Sequence, residues 1–396
     1  MLKDKTIVLG MTGSVAVYKC CELIRLLKKA GADVHTIMTK SAAEFVTPYL
    51  IEELSQNKCI TDTFERVATF DVKHISLANR ADMFVVAPAT ANIVGKIANG
   101  IADDMLSTTI MATKAKKLIV PAMNPNMYSN PIFKANVKRL QQYEDYIVMD
   151  AASGEMACGD VGQGRMPEAK QIFDFIERNI ETDRPLKGKK VLVSCGATQE
   201  AIDPVRFITN HSSGKMGFAA ARAAASLGAD VTIIKGNTTA EIPYGMNIVS
   251  VKSALDMFNA FKAHYEESDY IFMAAAVADY TPVKTAENKI KKTDGDMNIE
   301  LKRTDDILKF LGEHSDGKRK ICGFSMETEN LLNNSRKKLI SKNVNMIAAN
   351  SISEEGSGFG TDTNKMILIT ENENRELPLM SKDDCALEIV KTLIKL

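Results

Sequence analysis

The sequence predicts an α/β protein with two domains, each built on a parallel sheet that helices cover on both faces. The order strand, glycine turn, helix, strand occurs twice, starting with "KTIVLGMTGS" at residues 5–14 and "KKVLVSCGAT" at residues 189–198. Both helices then run into the same Gly-Ala-Asp-Val sequence, at residues 31–34 and 228–231. A strand–helix–strand unit of this kind is typical of doubly wound, Rossmann-like sheets.

The length of 396 residues favours two domains of ordinary size. The segment between the two repeats contains Pro185, Gly188 and several charged residues, a composition typical of a linker. We therefore predict a first domain at residues 1–182, a linker at 183–189 and a second domain at 190–396.

The composition excludes several classes of protein. The 50 basic and 50 acidic residues cancel, whereas a nucleic-acid-binding surface normally shows a basic excess. The sequence shows no signal peptide, and no stretch approaches the ~20 apolar residues of a membrane span. The seven cysteines form neither a CxxC motif nor a zinc-finger spacing. We expect a soluble protein of the reducing cytoplasm, without a nucleic-acid or membrane partner.

Two common nucleotide-binding motifs are incomplete. A dinucleotide fold has G-x-G-x-x-G after its first strand and an acidic residue at the end of its second. Gly10 and Gly13 instead have the spacing G-x-x-G, and no acid ends the strand predicted at residues 32–39. The sequence "NHSSGKMG" resembles a P-loop only in part, because Thr209 stands where that loop needs glycine. These gaps disfavour a nicotinamide oxidoreductase and a P-loop NTPase.

Small and hydroxyl side chains follow three predicted strands of the first domain. The carboxyl ends of parallel strands meet at one edge of the sheet, where helix N-termini attract phosphate. This pattern suits a mononucleotide with one phosphate and a flat ring, although each hydroxyl taken singly is explained equally well as a helix cap. The residues predicted to bind this ligand are Gly13, Ser14, Thr39, Ser41, Thr90, Ala91 and Asn92 after these three strands, and Ala122 at the end of a fourth.

A glycine-rich stretch, "SGEMACGDVGQGRM" at residues 153–166, contains Cys158. It shows neither the period of a strand nor that of a helix, so we predict an irregular loop. Glycine at this density suits a segment that closes over a ligand. The residues alone leave open whether Cys158 is a functional thiol or a small filler.

The ends of two further strands carry specific motifs, "PATAN" at residues 88–92 and "PAMNPNM" at residues 121–127. Together they resemble the flavin-dependent cysteine decarboxylases that bind FMN. His74 matches the essential histidine of that family, and "ACGDVGQGRM" matches its substrate-covering flap. In the second domain "DPVRFITNHSSGKMG", "AAAVADY" and "KIKK" continue the likeness. Such a tandem is similar to the bifunctional phosphopantothenoylcysteine decarboxylase/phosphopantothenate–cysteine ligase family of coenzyme A biosynthesis.

For the first domain, this resemblance implies a flavodoxin-like fold that binds FMN and converts phosphopantothenoylcysteine to 4′-phosphopantetheine. Oxidation of the substrate thiol by a flavin creates the electron sink that the departing carboxylate needs. The resemblance assigns Cys158 as the general acid and His74 as a base or orienting group. Asn124 would hold the substrate carboxylate through its amide N–H groups.

For the second domain, the resemblance implies a nucleotide-binding ligase that activates 4′-phosphopantothenate with CTP and then joins it to cysteine. Asn210 would act on the acyl-cytidylate, and Asp279, at the end of a strand predicted at residues 271–280, would contact the ribose or a metal ion, Mg²⁺ or Mn²⁺. In "RTDDIL", Asp305 replaces a common proline and adds a charge beside the phosphates. The implied CTP-binding residues are Met273, Ala274, Ala275, Asp279, Lys289, Thr304, Asp305, Asp306, Ile307, Phe324, Lys338 and Lys342.

The resemblance further implies a homo-oligomer, a dodecamer in relatives of this kind. A non-catalytic FMN-binding regulatory protein of the same fold is the alternative. The presence of His74, Asn124 and Cys158 together disfavours that alternative.

Overall fold

The structure is a computed structural model that describes residues 2–64, 72–155, 159–181, 183–291, 296–327, 330–351 and 361–396. Its residues form two compact units, Leu2–Ile180 and Glu181–Leu396. Cys158 lies outside the described residues. Within the described ranges, no helix is long and apolar enough to cross a membrane.

In the described part of the N-terminal unit, six parallel strands form a sheet in the order β3-β2-β1-β4-β5-β6, and two more form an antiparallel hairpin. The strands are β1 (Thr6–Met11), β2 (Asp33–Met38), β3 (Cys59–Ile60), β4 (Met83–Ala89), β5 (Lys116–Pro121), β6 (Tyr146–Val148), β7 (Ala152–Glu155) and β8 (Val161–Arg165). The helices are α1 (Lys19–Lys29), α2 (Lys40–Ala43), α3 (Pro48–Ser55), α4 (Lys73–Arg80), α5 (Ala91–Ala98), α6 (Met105–Ala112), α7 (Pro125–Ser129), α8 (Pro131–Leu140) and α9 (Ala169–Asn179).

The sequence pattern explains these elements. Strand β4 is buried at every position, as expected for a central strand of a sheet with helices on both faces. Helix α1 buries Cys20, Leu23, Ile24 and Leu27, a spacing that places one apolar stripe against the sheet. Gly31 follows this helix with φ of 85°, a left-handed conformation that glycine adopts without steric cost.

In the described part of the C-terminal unit, the main sheet has the order β13-β12-β9-β14-β17-β18-β20-β21. Its strands are parallel as far as β18, and β20 and β21 extend it in antiparallel fashion. The strands are β9 (Lys190–Cys195), β10 (Gln199–Ala201), β11 (Phe207–Thr209), β12 (Asp230–Lys235), β13 (Asn247–Ser250), β14 (Tyr270–Met273), β15 (Tyr280–Pro282), β16 (Leu301–Arg303), β17 (Lys320–Glu327), β18 (Met346–Ser351), β19 (Thr363–Asn364), β20 (Met366–Thr370), β21 (Asn374–Glu376) and β22 (Met380–Ser381). The helices are α10 (Lys215–Ser226), α11 (Ala254–His264), α12 (Ile307–Glu313), α13 (Leu331–Ser341) and α14 (Lys382–Ile394).

In the described part of this unit, α10 packs extensively against α14. Helix α10 buries a run of alanines, whose small side chains allow the partner helix to approach closely. Arg222 of α10 donates to the carboxylate of Asp383 in α14, with Nε 3.0 Å from Oδ1. Both helices belong to the core formed with strands β9, β12 and β18.

The predicted α/β class with doubly wound sheets is confirmed in both units. Two local predictions are wrong. Residues 153–166 are not an irregular loop throughout, because β7 and β8 pair there with Gly154 opposite Gly162. Strands pair through their backbones and do not require alternating apolar and polar side chains. The glycine residues therefore gave this hairpin no pattern by which the sequence could predict it. The strand predicted at residues 271–280 ends at Met273.

Candidate functional sites

A cavity of about 710 Å³ opens at the carboxyl ends of β1, β2 and β4 in the N-terminal unit. This is the edge at which a doubly wound sheet binds its ligand. Of the eight predicted nucleotide-binding residues, the structure brings Gly13, Thr39, Ser41, Thr90, Ala91 and Asn92 together in its lining. Ser14 and Ala122 are not among the described lining residues, although Ala122 directly follows β5 and Ser14 follows the end of β1 by three residues.

Three of the predicted hydroxyl side chains cap helices. Thr39 accepts a hydrogen bond from the N–H of Ala42 at 3.3 Å, and Thr90 accepts one from that of Ile93 at 3.4 Å. Ser14 similarly caps the short 3₁₀ helix Val15–Tyr18. A hydroxyl that accepts one hydrogen bond still has a hydrogen to donate, so capping and phosphate binding are compatible.

Thr12 is a lining residue that the sequence reasoning missed. Its hydroxyl donates to the carbonyl oxygen of Pro88 at 2.6 Å and accepts the N–H of Thr90 at 3.1 Å. Thr12 therefore ties the chain after β1 to the chain after β4, and both segments form the cavity wall. Thr12 could have been predicted from the sequence, because it is a hydroxyl residue immediately before Gly13 at the end of a predicted strand.

Gly13 is required by close packing. A Cβ atom at this position would lie 2.5 Å from the Cβ atom of Ser41, well inside van der Waals contact. Because Gly13 has no side chain, its backbone is accessible from the cavity and forms a cradle there. Backbone N–H groups before a helix are suitable phosphate ligands, so this cradle fits a mononucleotide phosphate.

Lys96 forms the charged wall of the same cavity and was also missed. Its ammonium lies 2.6 Å from a carboxylate oxygen of Asp103 and 3.1 Å from one of Asp104. The hydrogen bond to Asp103 raises the pKa of Lys96, against the opposing effect of partial burial. Asp104 also caps α6 by accepting the N–H of Ser107 at 2.8 Å.

Asn124 lies at the start of α7, where its side-chain oxygen accepts the N–H of Asn126 at 2.9 Å. Its side-chain nitrogen donates to a carboxylate oxygen of Asp160 at 2.6 Å. Met127, from the same helix, lines the cavity. Asn124 itself is not among the described residues of the lining.

His74 lies in the first turn of α4 and is half-buried. Helix α4 packs against α6, whose first residues line the cavity. Among the described residues, the imidazole is not part of that lining. The structure thus groups six of the eight predicted flavin-binding residues, and within the described part of the chain His74 and Asn124 do not line the same cavity.

A second cavity, of about 450 Å³, lies in the C-terminal unit between β14, β17, α12 and α13. Ten of the twelve implied CTP-binding residues line it. They are Met273, Ala275, Asp279, Thr304, Asp305, Asp306, Ile307, Phe324, Lys338 and Lys342. Ala274 lines a neighbouring cavity, and Lys289 is exposed and absent from the described lining of both.

Two lysines supply positive charge to this second cavity. Lys338 donates to the carbonyl oxygen of Phe324 at 3.0 Å, and Lys342 pairs with the carboxylate of Asp306. Asp306 also caps α12 by accepting the N–H of Lys309 at 2.9 Å. Burial alone would raise the pKa of Asp306, but the hydrogen bonds from Lys342 and Lys309 outweigh it and lower this pKa.

The chain between β14 and β15 is fixed by side-chain hydrogen bonds. Asn210 donates its amide to the carbonyl oxygen of Val277 at 3.0 Å. Thr304 donates its hydroxyl to the carbonyl oxygen of Ala278 at 2.6 Å and its N–H to that of Asp279 at 3.0 Å. These contacts hold Asn210 against the loop that carries Asp279, beside the second cavity.

The described residues contain no cluster of three or more His, Cys, Asp and Glu side chains that could hold a metal ion. Among these described residues, Asp279 belongs to no such cluster. Mg²⁺ usually binds through one or two carboxylates together with substrate phosphates.

A third cavity, of about 180 Å³, shares Ala275 and Phe324 with the second. The amide oxygens of Asn350 and Asn364 are buried in it and have no hydrogen-bond partner among the described residues. Burial and the nearby Lys215 lower the pKa of Lys382, which lines the same space. This polar lining extends the second cavity towards the first turn of α10.

Comparisons with known proteins cover both units. The family described as DNA/pantothenate metabolism flavoprotein C-terminal domain matches residues 186–396, and the family described as Flavoprotein matches residues 1–181. The chain is similar to the coenzyme A biosynthesis bifunctional protein CoaBC of Bacillus subtilis, with 46% identity over 100% of this chain and 98% of that one.

The chain is also similar to one further relative and to one solved domain structure. The CoaBC protein of Escherichia coli is 37% identical over 96% of this chain and 95% of that one. A crystal structure of the C-terminal domain of a CoaBC protein is 42% identical, covers 54% of this chain and 97% of that chain, and has a TM-score of 0.46. The curated relatives thus match the chain from end to end.

Proposed function

Because this chain belongs to the family of coenzyme A biosynthesis bifunctional proteins CoaBC, we propose that its second cavity binds CTP for the ligase reaction and that its first cavity binds FMN for the decarboxylase reaction. The chain is a bifunctional flavoprotein of coenzyme A biosynthesis with both activities. Its full-length similarity to these enzymes favours catalysis over a regulatory role.

The ligase reaction requires a carboxylate to be activated as a mixed anhydride, from which a nucleoside monophosphate can leave. A carboxylate oxygen of 4′-phosphopantothenate attacks the α-phosphorus of CTP, and pyrophosphate leaves. The amine of cysteine then attacks the acyl carbon of the cytidylate, CMP leaves, and the amine loses a proton. Lys338 and Lys342 compensate the negative charge of the nucleotide, and Phe324 packs beside the base.

Asn210 and Asp279 act on the other side of the reacting phosphate in this proposal. The hydrogen bond from Asn210 to Val277 holds the amide at the loop that also carries Asp279. The second hydrogen of the Asn210 amide is suited to an oxygen of the acyl-cytidylate. Asp279 would contact the ribose, or Mg²⁺ that arrives with the triphosphate. Lys289 would reach the phosphates from the loop before β16.

The decarboxylase reaction uses the N-terminal unit. FMN, when bound, supplies a hydride acceptor for the thiol of phosphopantothenoylcysteine. Gly13, Thr39 and Thr90 would hold its phosphate, because they lie at the bare backbone and the helix starts beside the first cavity. Asn124 would orient the substrate carboxylate, and His74 would orient the substrate or accept its proton.

Cys158 is the proposed general acid that returns a proton to the decarboxylated product. The residue lies outside the described structure, so this role depends on the family resemblance alone. Replacing Cys158 with serine should leave bound FMN in place and abolish the release of 4′-phosphopantetheine. Unchanged turnover in this variant would contradict the assignment.

The same proposal includes predictions of the oligomeric state, the cellular location and the domain boundaries. They are a homo-oligomer, a dodecamer by resemblance; a cytoplasmic location; and a division into residues 1–182, a linker at 183–189 and residues 190–396. Sedimentation analysis of the full chain tests the first of these directly.

The observation that carries the proposal is the grouping of ten implied CTP-binding residues around one cavity with two lysines. The test is to incubate the purified protein with 4′-phosphopantothenate, cysteine, Mg²⁺ and each nucleoside triphosphate in turn, and to identify the products by mass. We expect 4′-phosphopantetheine, CO₂ and CMP with CTP. Phosphopantothenoylcysteine alone would contradict the decarboxylase half, and no product with CTP would contradict the ligase half.

A further inference from the structure

The amide of Asn124 has a fixed orientation. Its oxygen accepts the N–H of Asn126 at 2.9 Å, so its nitrogen must point away from the first turn of α7. That nitrogen lies 2.6 Å from a carboxylate oxygen of Asp160. In the structure, the group proposed to hold the substrate carboxylate therefore already holds a carboxylate of the protein.

The segment that carries Asp160 is held firmly against α7. The N–H of Met123 donates to the carbonyl oxygen of Gly164 at 2.9 Å. A Cβ atom at Gly162 would lie only 2.9 Å from the Cβ atom of Pro125, so β8 and the start of α7 are in close contact. Asp160 immediately precedes β8, and these contacts therefore place its side chain beside Asn124.

An amide NH₂ group has two hydrogens, but two carboxylates bound to it would lie within a few ångströms of each other. Like charges at such a separation repel and raise the free energy of the doubly occupied state. A hydrogen bond to an ionised acceptor is also stronger than one to a neutral acceptor. The substrate carboxylate and Asp160 should therefore exclude each other.

We propose that Asp160 is a specificity-determining residue of the decarboxylase, whose carboxylate occupies the Asn124 amide until the carboxylate of the substrate displaces it. The inference rests on the proposed function, in which Asn124 binds the substrate carboxylate. It concerns only ligands that carry this carboxylate. The product 4′-phosphopantetheine has lost it and does not compete with Asp160.

The test is the isosteric substitution Asp160→Asn, which keeps an acceptor for Asn124 and removes the negative charge. The KM for phosphopantothenoylcysteine should fall about two- to fivefold, the range for a charge interaction at a solvent-accessible site. The inhibition constant of 4′-phosphopantetheine should stay the same. Glu155→Gln is the matched control, because it removes one exposed carboxylate from the same hairpin and should change neither constant.

An unchanged or increased KM in Asp160→Asn would overturn the inference, and an increase would mean that Asp160 orients Asn124 productively. An equal change in KM and in the product inhibition constant would overturn it as well, since the effect would not depend on the substrate carboxylate. Absence of CO₂ release by the wild-type protein would instead refute the proposed function, and the inference with it. CO₂ release by wild type with no effect of Asp160→Asn refutes the inference alone.

Discussion

The ammonium of Lys342 pairs with the carboxylate of Asp306, the residue that caps helix α12. One carboxylate thus begins a helix and holds a lysine at the wall of the second cavity. The pair connects the stability of this unit to the position of a charge that we assign to nucleotide binding.

The pair should make stability depend on pH. The pKa of Asp306 in the folded protein is lowered from its ordinary value of 3.8, so its stabilising contribution is present above that value and is lost as pH falls through the folded pKa. Asp306→Asn keeps a good helix cap but loses the ion pair. The apparent Tm of the variant should be lower than that of wild type at about pH 7, and this difference should shrink towards about pH 3.

Asp305→Asn is the control for that experiment. It removes the same charge from the adjacent residue, for which the described structure shows no ion pair. We expect the Tm difference between this variant and wild type to vary less with pH. A difference for Asp306→Asn that stays constant across the pH range would contradict the role of the pair.

Gly13→Ala should weaken FMN binding. The added Cβ atom would approach the Cβ atom of Ser41 to 2.5 Å and force α2 away from the cavity wall. Overpacking of this kind should raise the Kd for FMN by about tenfold or more. Gly95→Ala is a matched control in α5, because its Cβ atom would meet only the side-chain nitrogen of Asn136 at 3.8 Å. Flavin absorbance after dialysis measures both variants, and equal retention of FMN would count against the cradle at Gly13.

Lys338→Met should impair the ligase reaction specifically. The substitution keeps most of the aliphatic stem but removes the ammonium that lines the second cavity. Loss of one charge-assisted contact to a nucleotide should raise the KM for CTP by about tenfold to a hundredfold. Lys337→Met changes the neighbouring, exposed lysine and should leave this KM near the wild-type value. Similar KM values in the two variants would argue against a contact between Lys338 and CTP.

The ion pair between Lys19 and Glu168 should respond asymmetrically to substitution. The Lys19 side chain is 7% exposed and that of Glu168 is 57% exposed. Glu168→Gln leaves a buried ammonium without a counter-charge and should cost about 2 kcal/mol, whereas Lys19→Met leaves an exposed carboxylate and should cost about 1 kcal/mol.

Arg165→Met provides the reference for this comparison. Arg165 also pairs with Glu168, but both side chains are exposed, so its loss should cost less than about 0.5 kcal/mol. Urea unfolding followed by flavin release measures the free energy of unfolding of the N-terminal unit in all three variants. A larger loss in Lys19→Met than in Glu168→Gln would contradict the argument from burial.

The sequence predicted the parts of the fold and site that depend on local pattern. Thr39 follows the largely buried strand β2 and Thr90 follows the fully buried strand β4, and the carboxyl ends of parallel strands must meet at one edge. The spacing of Lys338 and Lys342 likewise predicted that they share one side of a helix; α13 ends at Ser341 with Lys342 as its C-cap, and both lysines line the second cavity.

Contacts between distant residues were not predictable in this way. Lys19 and Glu168 are separated by 149 residues, and no periodicity relates them. The same holds for Asn124 and Asp160, because Asp160 is placed by the backbone pairing of β7 with β8, in which Gly154 lies opposite Gly162. Asp279 follows β14 by six residues rather than ending it, since hydrogen bonds from Asn210 and Thr304 replace the sheet pairing there.

The packing of α10 against α14 has a consequence for how the chain is made. The two helices are joined by Arg222 and Asp383, 161 residues apart. A ribosome that has released α10 must still translate most of this unit before α14 can cover its alanines. At ~5–20 residues per second, that interval lasts roughly ten to thirty seconds. During that time the nascent ligase half exposes an apolar helix surface, which is a suitable target for chaperones.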